Sequence, residues 1–394
     1  MDRVRAVTLK YITVFLAMNF SFVAGAALYG AYLRSRGLSL TEMAFVDGVY
    51  VGVSLMFMAM GGGFSDKYGR RKSLCYGLAL QGFGFLTYGL SENFYQFLLA
   101  ELLFALGSAL NLNSLEAWYV DEMRVLTGEK YYDYSRVFGT ASALTALTSV
   151  SGSLLAGWLG MFSLNVPFLF GALAYFMLVF VVYKLLSENK GESSRQPLLV
   201  ILRKGCKNVV GNKVLLLLAF SSLFLSLSRP FFTLTYQAYL YDLGLSAQTL
   251  GVFAALFLLT NSLSGLTVVP KKSFKKLAYM TLSSTLLVFV GYFGLSNHYD
   301  LTFFVLYAVL WEMGTGMRRP LFRAWMNLDV SSDRSTTLSF LSILGFAGTL
   351  VGMLTMGPVV DTFGYHVGWL LASIFVLLSF LWALVAVAAK TKQH

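Results

Sequence analysis

The chain has 394 residues, of which 57% are apolar and only 12% charged, whereas soluble domains carry about 25% charge. That excludes a water-soluble globular fold and assigns the chain to a bilayer. The formal charge of +11 is not a signature of nucleic-acid binding, because its placement follows membrane topology.

A spanning helix needs roughly 20 mainly apolar residues. Twelve such stretches follow one another, at about 9–34, 42–62, 73–91, 94–119, 137–160, 165–187, 213–241, 247–269, 277–297, 301–326, 337–359 and 366–389. Their apolar runs are unbroken, which indicates helices; a membrane barrel would show alternating segments of about ten residues. The expected fold class is an all-α membrane protein. Lys and Arg crowd onto alternate connections: the start of span 1, 67–72, 124–136, 184–213, 271–276, Arg334, Lys390 and Lys392. The opposite loops hold only Arg34 and Arg36. By the positive-inside rule both termini are cytoplasmic, in an inner or plasma membrane, with attraction to anionic lipid headgroups as a secondary effect. Arg3 and Arg5 lead directly into a full-length span with no small-residue cleavage site, so span 1 is expected to remain.

Enzyme chemistry has little to work with. Cys75 and Cys206 both fall on the cytoplasmic side and are expected to be reduced. His298, His366 and His394 have no metal-ligand spacing, and no phosphate-binding loop occurs. No cofactor, metal or catalytic residue is expected.

The chain repeats itself. "YGAYLRSRGLS" from Tyr29 and "YQAYLYDLGLS" from Tyr236 agree at seven of eleven positions, 207 residues apart. "LEAWYVDE" from Leu115 and "FRAWMNLD" from Phe322 share the same offset, and "KYGRRK" ending at Lys72 answers "KKSFKK" ending at Lys276. Two six-span units follow, 1–187 and 213–394, joined by 188–212. In that connection "SENKGESSRQ" reads as a flexible linker and "PLLVILRKGCKNVV" as an amphipathic helix on the membrane surface. This is the layout of a two-bundle transporter.

Between spans 2 and 3, "GGFSDKYGRRK" (Gly62 to Lys72) resembles the signature of the major facilitator superfamily: Gly, three residues, Asp, a basic residue, one residue, Gly, then a basic cluster. With the repeat, the resemblance covers nearly the whole chain and extends to prokaryotic exporters of drugs and small molecules. It implies two pseudo-symmetric six-helix bundles and alternating access, with spans 1, 4, 7 and 10 lining a central cavity. It also implies a conformational latch of Gly62, Asp66, Gly69, Arg70, Arg71 and Asp121, in which Asp66, Arg70 and Asp121 hold the bundles together on the cytoplasmic side.

Ionisable residues inside spans cost roughly 2.5 to 3.5 kcal/mol each at mid-helix, so they mark functional positions. Counting about 100° per residue, Glu312, Gly316, Arg319 and Arg323 share one face of span 10, while Arg318 points elsewhere, toward packing or headgroups. On span 4, Glu101 begins a stripe, with Glu116 roughly 60° away and nearer the cytoplasm. Glu116 is the repeat equivalent of Arg323; the two either pair across the pseudo-two-fold axis or snorkel to the interface. Glu312, Glu101 and Glu116 are the candidate proton-coupling acids, since pairing with Arg lowers a carboxyl pKa and isolation raises it. Asp47 suits helix packing or gating. Glu101 departs from the exporter pattern, which has an Arg there, and span 5 lacks the Gly-Pro of the antiporters.

Arg229 and Pro230 interrupt span 7. Asn19, Tyr29, Arg229, Tyr236, Gln237, Arg319 and Arg323 are the candidate cavity residues. The arginines favour an anionic substrate, and the acids favour a cation or a proton. Three functions remain open: proton-coupled export of small amphipathic molecules by a chain working as a monomer, import or facilitated passage of a polar metabolite or organic anion, and a non-transporting sensor or scaffold.

Overall fold

The computed structural model describes residues 2–60, 63–111, 113–128, 134–190, 198–268, 274–330 and 334–391. Within them lie eighteen helical segments and no strand. In order these are α1 (Asp2–Ala26), α2 (Tyr29–Ser35), α3 (Leu40–Met60), α4 (Gly63–Tyr68), α5 (Arg70–Leu90), α6 (Phe94–Asn111), α7 (Ser114–Thr127), α8 (Tyr134–Gly160) and α9 (Val166–Leu185). Then come α10 (Leu198–Gly211), α11 (Lys213–Ser228), α12 (Pro230–Thr233), α13 (Thr235–Asp242), α14 (Ala247–Leu266), α15 (Phe274–Asn297), α16 (Leu301–Asp329), α17 (Arg334–Phe363) and α18 (Tyr365–Thr391). Ten runs among the described residues are long and apolar enough to cross a membrane. The other two long helices are α5, which opens on Arg70, Arg71 and Lys72, and α16, which carries Glu312, Arg318, Arg319 and Arg323.

The residues divide into two compact units: 1–36 with 49–196 and 243–256, and 37–48 with 197–242 and 257–394. The boundaries cut through α3 and α14, so each unit contains a short segment from the other half of the chain.

In the first unit α5 packs on α6 and α9, and α1 packs on α8 and α9. In the second, α15 packs on α16 and α18, and α11 on α17 and α18. The repeat is therefore a repeat of packing. Tyr32 lies 5.7 Å from Phe97 and 4.9 Å from Phe168, ring to ring; Tyr239 lies 5.2 Å from Phe304 and 5.0 Å from Trp369. All six are buried, which explains why "YxAYL" occurs twice: each copy supplies the tyrosine of one bundle core. Gly107 and its equivalent Gly314 permit close helix approaches. A Cβ there would fall 2.5 Å from the Gly77 carbonyl oxygen and 2.7 Å from that of Ser284.

Breaks recur in register too. The first span is interrupted between α1 and α2, and the seventh at the corresponding place between α12 and α13, with a further break at Arg229 ahead of Pro230. Side chains cap several ends, as orphan N–H groups require. Asn212 accepts from Val214 N and Leu215 N at the start of α11. Asp361, on α17, accepts from Leu40 N (2.9 Å), Thr41 N (2.8 Å) and Thr41 Oγ1 (2.6 Å), capping α3 from 321 residues away. The amphipathic helix α10 is seated on α17, where Gly205 meets Phe340 and Asn208 Nδ2 donates to Thr337 Oγ1 at 3.0 Å.

Candidate functional site

The second unit gathers charged side chains of α3 and α16 around Arg229, at the break between α11 and α12. Glu312, half-buried on α16, accepts from Asn261 Nδ2 at 2.8 Å, and the same amide donates to Thr315 Oγ1 at 3.0 Å. No ion pair engages Glu312 among the described residues. Arg229, at the α11–α12 break, lies within electrostatic range of both Glu312 and Asp47. Arg319 in turn feels Arg229 and Arg323. Three cations and two acids thus share one region, with Glu312 held by a neutral amide and Arg229 outside contact range.

Aromatic rings shape one side of this centre. Tyr236 stacks on Phe232 at 5.2 Å and meets Phe257 edge-on at 5.6 Å, and its hydroxyl accepts from Gln237 Nε2 at 2.8 Å. Phe232 continues to Trp311 at 4.2 Å. Gly316 does not open space beside the Glu312 stripe: a Cβ there would collide with Ser264 and Asn261, so α14 occupies that side. The glycine instead brings Asn261 within reach of Glu312.

The first unit treats its acids differently. Glu101 is buried and receives a hydrogen bond from the Tyr88 hydroxyl, with Tyr29 edge-on to Tyr88 at 5.7 Å. Glu116 is exposed on α7. The fourth span breaks at Asn113, whose φ of 61° is left-handed, so a helical count from Glu101 to Glu116 does not carry through. Asn19 is apart from both acids; its Oδ1 accepts from Thr148 Oγ1 (2.7 Å) and Ser149 Oγ (3.2 Å) on α8.

At the start of α5, Arg70 Nε donates to Asp121 Oδ2 at 3.2 Å and Arg71 Nε lies 3.6 Å from Glu188 Oε2. Gly69 has φ +108°, and a Cβ there would strike the Glu188 carboxylate, so both backbone and space require glycine. Residues 187–189 are threaded into this corner: Trp118 Nε1 donates to Ser187 O at 2.9 Å, Ser187 Oγ donates to Glu122 at 2.6 Å, and Arg70 N donates to Asn189 O at 2.9 Å. Gly62 and the side chain of Asp66 lie outside the described residues.

The model of the Major Facilitator Superfamily matches residues 11–331. The chain belongs to this superfamily. It is therefore a membrane transporter and not an enzyme. An MFS-type transporter of Bacillus subtilis (strain 168), YxaM, is 24% identical over 380 residues, covering 91% of this chain and 92% of its own. The methylenomycin A resistance protein of the same organism is 28% identical over 173 residues, 41% of this chain and 34% of its own. Among solved structures, a single-residue variant of the nucleoside transporter NupG superposes with a TM-score of 0.80 at 13% identity, covering 97% of this chain and 99% of that one. The last similarity concerns the superfamily fold.

Of the residues singled out by sequence, this MFS chain brings Arg229, Tyr236, Gln237, Glu312, Arg319 and Arg323 into one unit-2 region, and Tyr29 and Glu101 together in unit 1. Sequence reasoning missed Asn261, Tyr88 and Glu188. Asn261 had a signal, being an amide inside an apolar run, "FLLTNSLSG". Tyr88 and Glu188 had none, because their partners are fixed only by helix packing.

Proposed function

We propose that the chain is a secondary active transporter that works by alternating access and couples proton entry to the export of small amphipathic organic molecules. The carrying observation is Glu312: a half-buried carboxylate in the middle of a long helix, bonded to the Asn261 amide rather than to a cation, with Arg229 in electrostatic range but not in contact. A carboxyl so placed is protonated when Arg229 withdraws and ionised when it approaches. One pKa unit of such modulation corresponds to 1.36 kcal/mol, comparable to a pH gradient of one unit. Glu101 and the exposed Glu116 are secondary acids in this reading. The partly exposed ring of Tyr236, backed by the buried Phe232 and Trp311, suits an apolar ring system, and the resistance protein matched over part of the chain favours export.

The same reading takes α5 and α16 as spans, giving twelve, in two six-helix bundles linked in sequence by residues 188–212. It places both termini in the cytoplasm of a plasma-membrane protein acting as a monomer, with Arg70, Arg71 and Asp121 in the latch. A second reading, import or facilitation of an organic anion, is favoured by the cluster of Arg229, Arg319 and Arg323.

Proteoliposomes carrying a pH gradient and an internal pH dye separate the two. Cationic or neutral amphipathic compounds should dissipate the gradient through the wild-type chain, and Glu312→Gln should reduce this at least about tenfold while folding is retained. Unaltered pH dependence in Glu312→Gln would falsify the assignment. Anion equilibration without proton movement would establish the second reading.

A further inference from the structure

Arg318 is the most deeply buried arginine among the described residues, 2% exposed, and lies between α16, α11 and α18. Its Nη2 donates to Ser221 Oγ at 2.9 Å, and the guanidinium sits over Phe322, 4.2 Å from the ring centroid. Its Nε and Nη1 have no acceptor among the described residues. Among the described residues no carboxylate pairs with it, and Glu312 on the same helix turns to Asn261.

A guanidinium stays protonated in proteins and presents five N–H donors. A buried charge without a counter-charge is strongly destabilising, and unsatisfied buried donors in a native structure call for a partner. The repeat sharpens the point. The equivalent position in the first half is Asn111, a neutral amide whose Nδ2 donates to Gln81 Oε1 at 2.7 Å. An uncharged side chain therefore suffices to pack this position, and the positive charge in the second half needs a separate reason. Ser379 Oγ donates to Ser221 O at 2.6 Å and lies 3.1 Å from Ser221 Oγ. The Ser379 proton is thus committed, which makes Ser221 Oγ the donor to Ser379 Oγ and leaves the free donors of this corner on Arg318 alone.

We propose that Arg318 forms a binding site for a small monovalent anion, of the class of chloride, inside the second unit. The edge of the guanidinium turned away from Ser221 offers the second N–H of Nη2 beside one unsatisfied N–H, which is a two-point grip on an anion. Depth of burial sets the size: a lipid phosphate carries its glycerol and chains with it, whereas a monatomic ion brings nothing else into the interior. The site is separate from the Glu312 centre and holds whether or not transport is proton-coupled.

The test uses the full chain purified in detergent. Thermal unfolding is followed as sodium chloride replaces sodium gluconate at constant ionic strength. The Tm of the wild-type chain should rise saturably by about 2–4 °C, and Arg318→Gln should abolish the rise. Crystals grown in bromide should show anomalous density within hydrogen-bonding distance of Nε or Nη1. A wild-type Tm indifferent to chloride would overturn the proposal and leave water as the partner. So would a chloride effect that survives in Arg318→Gln, which would put the anion elsewhere. If Arg318→Gln does not fold, the bromide map of the wild-type chain decides alone, and density absent from Arg318 refutes the site.

Discussion

The fourth and tenth spans are copies of one another, and they have solved the same packing problem with opposite means. Both bury a Phe near the start (Phe97, Phe304), press a glycine against the third or ninth span (Gly107, Gly314), and bury a Trp near the end (Trp118, Trp325). Where they differ is at one repeat position. Asn113 adopts left-handed backbone and splits the fourth span into α6 and α7, whereas Pro320, its equivalent, sits inside the continuous helix α16. Asn tolerates left-handed φ because its short polar side chain bonds locally. Pro fixes a helical φ but removes a donor, leaving the Gly316 carbonyl without its usual partner. One copy therefore ends a helix and restarts it, while the other keeps its axis and carries charges along it. A continuous rod bearing Glu312, Arg319 and Arg323 holds those groups at fixed relative positions. A split one isolates Glu101 from Glu116.

The ends of these helices give the largest lever on the comparison. Asp329, at the C-terminus of α16 where the helix dipole disfavours an acid, is paired with Lys390 at 2.6 Å, and both side chains are about nine-tenths buried at 11% and 10% exposure. Lys390→Met should cost about 3–5 kcal/mol, because it leaves a buried charge alone, and Lys390→Met with Asp329→Leu should recover most of it. In the first unit the Arg70–Asp121 pair is wetter, with the Asp121 side chain 23% exposed, so Arg70→Met should cost roughly 1 kcal/mol. Chemical denaturation of the three variants checks the order, and equal losses would show that burial does not separate the two ends.

The breaking residues come next. Pro320→Ala should stabilise by about 1–3 kcal/mol as the Gly316 carbonyl regains a partner. Asn113→Ala should destabilise by about 1 kcal/mol through its left-handed backbone, and Asn113→Gly should not. If the halves are equivalent in transport, Pro320→Ala leaves transport unchanged; if the axis of α16 matters, it alters the rate despite greater stability.

Asp300 gives the smallest effect. It caps α16, accepting from Thr302 N at 2.7 Å, and that backbone bond holds its carboxyl below the ordinary value of 3.8. A depressed folded-state pKa contributes stability that is present above the unfolded value and is lost as pH falls through the folded one. Thermal melts below about pH 4 should therefore drop more gently in Asp300→Asn than in the wild-type chain.

Sequence alone determined the membrane class, the duplication and the family, because apolar run length, a 207-residue offset and one glycine-acid-base signature are linear properties. It also placed Glu312, Arg319 and Arg323 on one face, since α16 is continuous and a helical count holds along it. The same count failed between Glu101 and Glu116, where a single backbone angle at Asn113 resets the register. Tertiary structure decided the partners. Asn261 meets Glu312 only because Gly316 lets α14 approach, and Arg318, assigned by periodicity to packing or headgroups, is enclosed by α11 and α18 beside Ser221. Which polar group a buried charge meets depends on side chains from distant segments converging in space, and local pattern carries no record of that.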